Sequence, residues 1–131
     1  MSIPVELSGL ADAMAGYRFA YLMTTSGKGA PHAVAVSVVL DQGLLIVEGI
    51  GRRTRENALA RPAVGLVWPP ESASGYSLIV DGQASVVADQ VRIAPTRAVL
   101  HRPVQPASSA QSGPPGACGS DCVEIPIAPI A

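Results

Sequence analysis

Residues 48–70 read EGIGRRTRENALARPAVGLVWPP and hold four of the chain's nine basic residues, Arg52, Arg53, Arg55 and Arg61. Two apolar runs flank the cluster, LLIV at 44–47 and AVGLVW at 63–68, and both have the length and aliphatic content of strands. Pro62 disfavours helical backbone at Arg61, so the spacing predicts a short helix over residues 54–60. Arg52, Arg53 and Arg55 are then crowded at its amino end. Strand, short helix, strand is the unit around which the rest of the chain is read.

A helix dipole places partial positive charge and unpaired N–H groups at that same end, so each cation there is unfavourable by about 0.3–1 kcal/mol. Something negative should compensate. Glu48 and Glu56 stand near in sequence. A bound phosphate would satisfy the N–H groups, the dipole and the guanidinium forks together. A solvated basic turn is the other reading these residues allow.

Outward from this unit the chain reads as strands joined by turns. RFAYLMTT at 18–25 runs into the glycine-rich turn SGKG at 26–29, and PHAVAVSVVL at 31–40 returns as its hairpin partner. Along that partner His32, Val34, Val36 and Val38 share one face, while Ala33, Ala35, Ser37 and Val39 share the other. The small face leaves room for a flat body against the sheet or for a closely packed neighbouring element. DQG at 41–43 turns the chain into the strand that delivers it to the arginines.

Beyond the cluster, YSLIVDGQASVV at 76–87 predicts a long strand with a bend at Asp81-Gly82. VRIAPTRAVLH at 91–101 contains Pro95 and so predicts a kinked or edge strand. Apolar spacing over residues 5–15 predicts a short amino-terminal helix plugging a barrel end. The expected fold is mainly β: a six-stranded antiparallel barrel with short flanking helices, since closure removes exposed edges.

The bulk numbers bound the function. A chain of 131 residues is one domain. Its net charge of −1 argues against nucleic acid as partner, because duplex binding normally needs a basic face. No apolar run approaches the roughly 20 residues of a membrane span, and Met1-Ser2-Ile3-Pro4 lacks a secretory start. A cytoplasmic protein is expected. Residues 1–103 are expected to form the barrel domain. Residues 104–119, rich in Pro, Ser and Gly, read as a flexible linker. Residues 120–131 read as a strand-like tail, in which Val123, Ile125 and Ile127 alternate and are expected to dock on a second subunit. Cys118 and Cys122 form CGSDC within this region. Inert thiols, a local disulfide or redox pair, and a metal site needing two more ligands are all open for them.

The order of these features resembles the pyridoxamine 5′-phosphate oxidase-like, flavin-binding split-barrel family. The resemblance runs from about Arg18 to Pro103. It rests on AYLMTTSGKGAPHAVAV at 20–36, GRRTRENALARPAVGLVW at 51–68, and GYSLIVDGQASVV at 75–87 followed by VRIAPTRAVLHRP at 91–103. It implies a six-stranded split β-barrel, homodimeric, with two cofactor sites at the subunit interface. The implied cofactor is FMN or the deazaflavin coenzyme F-420, serving an oxidoreductase acting on a small-molecule substrate. Non-catalytic binding of flavin, haem or a tetrapyrrole is the alternative. Carried over by position, Arg52, Arg53, Thr54 and Asn57 would hold the phosphate. The strand His32, Ala33, Val34, Ala35 and Val36 would lie under the ring, and Trp68 would sit near the interface. No catalytic acid or base is assigned: His32 is a candidate proton donor near the ring, but a histidine that begins a strand after proline is more often structural. Tyr21 and Tyr76 are weaker candidates. The chain is shorter than pyridoxamine phosphate oxidase proper and lacks a recognisable carboxy-terminal substrate segment, so that specific activity does not carry over.

Overall fold

The computed structural model describes residues 1–104. The linker, the strand-like tail and the CGSDC cysteines expected from the sequence lie outside the described residues. In chain order the elements are β1 (Ser2–Pro4), a 3-10 turn (Leu7–Gly9), α1 (Leu10–Met14), β2 (Ala20–Thr25) and β3 (Pro31–Val36). There follow β4 (Val39–Asp41), β5 (Leu44–Glu48), α2 (Arg52–Ala60), β6 (Ala63–Trp68), β7 (Ser77–Val87) and β8 (Gln90–His101).

All pairings are antiparallel, and the sheet runs β3-β2-β6-β7-β8-β5-β4, with β1 added to β8. The two ends of this path, β3 and β4, are separated in sequence by only Ser37 and Val38. Laid flat at about 4.8 Å per strand, they would be about 29 Å apart. Three residue steps reach no more than about 11 Å. The sheet must therefore curl until its end strands meet, and the result is a barrel with a seam.

Alternation sorts the residues between its two faces. Val34, Leu22, Leu66, Val80 and Ala98 are successive cross-strand partners on the inner face, and the last four are buried. Leu45 pairs with Ile93 in the same core. The aliphatic content of the sequence suits such an interior, since β-branched and leucine side chains pack on a pleated surface. Leu10 of α1 is also buried in this core.

The six strands expected from the sequence are all present, with two adjustments. The run at 31–40 breaks at Ser37-Val38 into β3 and β4, because the chain crosses the seam there. Ser2–Pro4 forms a short strand on β8, and the amino-terminal helix is reduced to Leu7–Gly9 and Leu10–Met14. The bend at Asp81-Gly82 is a β-bulge: Gly82 pairs with Pro95 and Asp81 with Arg97, so Thr96 has no opposite number. β8 is not an edge strand along its length. It pairs with β5 up to Ile93 and with β1 from Val99 on, leaving Pro95 in the gap between those partners. A residue without an N–H is tolerated in such a gap.

Candidate functional site

The sequence places the start of α2 at residue 54, whereas the helix begins at Arg52. Gly51 caps it with extended backbone (φ −79°, ψ 173°) and no side-chain hydrogen bond, and the first turn has no acidic residue. The first N–H groups of the helix thus lack a side-chain acceptor. At the other end Arg61 is extended (φ −138°, ψ 96°), as the following proline requires. Thr54, Asn57 and Ala58 form the buried stripe of α2, a spacing of three and four residues that points one helix face at the barrel.

The four clustered arginines divide into two pairs. Arg55 donates to the carbonyl of Ala88 in the β7–β8 turn. Arg61 donates to the carbonyls of Ser26 at 2.8 Å and Gly27 at 3.0 Å, in the β2–β3 turn. Both guanidinium groups therefore fasten α2 to the barrel. Arg52 and Arg53 are exposed and have no hydrogen-bond or ion-pair partner among the described residues.

That free pair lines a groove of about 710 Å³ along the seam of the barrel. One wall comes from β3 and the segment after it, with His32, Val34, Ala35, Val36 and Ser37. The facing wall comes from Val39 and from Ile46 to Glu48, and the closed end is Gly49 to Thr54. The groove is thus mainly aliphatic along its strands, with His32, Ser37 and Glu48 as polar members, and cationic at the start of α2. His32 has a buried Nδ1 with no partner among the described residues.

Seven of the sequence-derived site residues meet there: His32, Val34, Ala35, Val36, Arg52, Arg53 and Thr54. Three do not line the groove. Ala33 is not among the lining residues, although Ala35 on the same face of β3 is. Asn57 is buried, and its Nδ2 donates to Thr24 Oγ1 at 3.1 Å. Trp68 is buried in the core. Tyr21 lies on the outer face, and Tyr76 stands at the far end of the barrel, where its backbone carbonyl accepts from Tyr17 Oη at 2.8 Å. Burial pushes the Tyr17 phenol above its ordinary value. Sequence reasoning did not place Ile46 and Glu48 in the site. Their membership follows from register, because Ile46 is the cross-strand partner of Val39.

Residues 10–114 match the sequence pattern of the family described as pyridoxamine 5′-phosphate oxidase. The chain belongs to that family. An uncharacterized protein of Mycobacterium bovis is 41% identical over 140 residues, covering 94% of this chain and 96% of its own. Among solved structures, a F420 reductase superposes with a TM-score of 0.52 at 19% identity, covering 61% of this chain and 87% of its own. A FAD-binding protein of Mesorhizobium loti gives 0.61 at 13% identity, covering 76% and 94%. At such identities the superpositions establish the split-barrel fold alone. Among the described residues no helix is long and apolar enough to cross a membrane.

Proposed function

We propose that the seam groove holds the phosphate-bearing cofactor of a flavin- or deazaflavin-dependent oxidoreductase, FMN or coenzyme F-420, in a homodimer acting on a small-molecule substrate. The observation that carries this reading is the pair Arg52 and Arg53, without a partner among the described residues at the start of α2 and lining a mainly apolar groove. The donor set suits a phosphate: backbone N–H groups, a helix dipole and two guanidinium forks belong to one helix start, whose first turn has no acidic residue. Family membership and the F420- and FAD-binding names of the superposed proteins support it.

A bound flavin-type ring supplies the hydride or electron chemistry. The chain positions it. Arg52, Arg53 and the first amides of α2 anchor the anion. Val34, Val36, Ile46 and Ile50 exclude water from the body of the groove, and the Glu48 carboxylate accepts from hydroxyl or N–H donors. His32 contributes to the groove wall, and its buried Nδ1 has no partner among the described residues. Fluorescence titration tests this reading: FMN or F-420 binds with Kd below about 100 μM, and Arg53→Ala weakens binding at least about tenfold. Failure of both cofactors to bind sinks it.

The His32 nitrogen without a partner among the described residues also favours a second reading, non-catalytic binding of haem or a related tetrapyrrole, with propionates on the same arginines and His32 as ligand. A Soret band on haem addition, with no reoxidation of bound reduced flavin by any acceptor, would decide for it.

A further inference from the structure

Five basic residues lie outside the arginine cluster, and the fold disposes of four of them away from the groove. Arg18 pairs with Glu71 at 3.1 Å and Arg97 with Asp81 at 3.3 Å. Arg102 lies over the Tyr76 ring, 4.6 Å from its centroid. Lys28 sits in the β2–β3 turn, whose carbonyls hold Arg61.

Arg92 differs from all of these. It is the cross-strand partner of Ile46, which is in turn the partner of Val39, so the three stand in one row on the outer face. Val39 and Ile46 line the groove, and Arg92 stands one strand spacing beyond them, about 4.8 Å. Its Nε donates to Gln90 Oε1 at 2.6 Å, and Gln90 Nε2 donates to Glu48 Oε1 at 3.4 Å. Glu48 is itself a groove residue. This relay ties Arg92 through Gln90 to Glu48 and uses only one of its five N–H donors. Its two terminal NH2 groups have no protein partner among the described residues.

We propose that Arg92, held by Gln90, is a second anion subsite, so that the cofactor carries a further anionic group beyond the phosphate at Arg52 and Arg53. That group is a second phosphate or a carboxylate, and the inference rests on the phosphate reading above. FMN, with one phosphate, leaves Arg92 unused. FAD has a second phosphate, and F-420 has carboxylates on its glutamate tail.

Titrations of FMN, FAD and F-420 against wild type, Arg92→Gln and the control Arg97→Gln test the assignment. Arg92→Gln is expected to weaken FAD, F-420 or both by about tenfold, to change FMN less than about twofold, and to flatten the salt dependence of the affected ligand. Loss confined to FAD identifies a second phosphate at Arg92, and loss confined to F-420 identifies a tail carboxylate. Arg97→Gln should leave all three unchanged. Equal affinities in wild type and Arg92→Gln, or equal loss for FMN, overturn the subsite while leaving the phosphate reading standing. If wild type binds none of the three, both readings fall.

Discussion

Asn57 shows how a side chain that resembles a ligand-binding residue is committed elsewhere. Its amide donates to Thr24 Oγ1 at 3.1 Å between two buried residues, so it joins α2 to β2 rather than opening into the groove. Replacing one member of such a pair strands the other without water, at a cost of about 1–3 kcal/mol, whereas replacing both with apolar groups of similar shape is nearly neutral. Asn57→Leu should therefore lower stability in urea unfolding by about 1–3 kcal/mol. Thr24→Val combined with Asn57→Leu should recover much of that loss, giving a non-additive cycle. Additive losses would show that the hydrogen bond contributes little. Arg55 and Arg61 are committed in the same way, to backbone carbonyls. Arg55 shares its residue type and the helix start with Arg52 and Arg53 in the sequence, and only the position of the Ala88 carbonyl separates it from them.

Among the elements, the β7–β8 pair shows why a proline and a glycine sit inside long strands. Thr96 is the extra residue of the bulge, and its hydroxyl donates to the carbonyl of Asp81 at 3.1 Å. The chain opposite passes so close that a Cβ on Gly82 would lie 2.5 Å from Ile93 Cγ2 and 2.7 Å from the Ala94 carbonyl oxygen. Backbone cannot yield as a flexible side chain can. Gly82→Ala should cost about 1–3 kcal/mol by overpacking, visible as a lower denaturation midpoint. Gly65→Ala is the comparison, since its Cβ would meet the nearest atom at 3.8 Å, an ordinary contact. A Gly82→Ala protein as stable as Gly65→Ala would mean the strands can part without loss. The bend itself was legible from Asp81-Gly82 and Pro95. The tightness of the crossing was not, because it depends on which residue of β8 faces Gly82.

For the whole molecule, the outer face of the barrel carries a partly exposed apolar row. Ala35, Tyr21, Val67 and Ile79 are successive cross-strand partners on that face, and Phe19, Tyr21 and Met23 are 38%, 41% and 43% exposed. Phe19 and Tyr21 meet edge to face with centroids 5.2 Å apart. Contiguous exposed apolar surface of this kind marks an association site, and it supports the homodimer proposed with the cofactor reading. Tyr21→Lys combined with Met23→Lys is expected to give a monomer by light scattering and to weaken cofactor binding with it. A double variant that stays dimeric would place the interface elsewhere. By itself the sequence determined six strand runs, the short helix among them, the hairpin and the bend, because alternation, glycine and proline act over a few residues. It also determined that an arginine cluster stands at a helix start. Only the tertiary structure decided which two arginines have no partner among the described residues, that Ile46 and Glu48 line one groove with β3, and that Arg92 stands beside them. Those facts depend on register between strands distant in sequence, and register is set by how the whole sheet curls to bury one face.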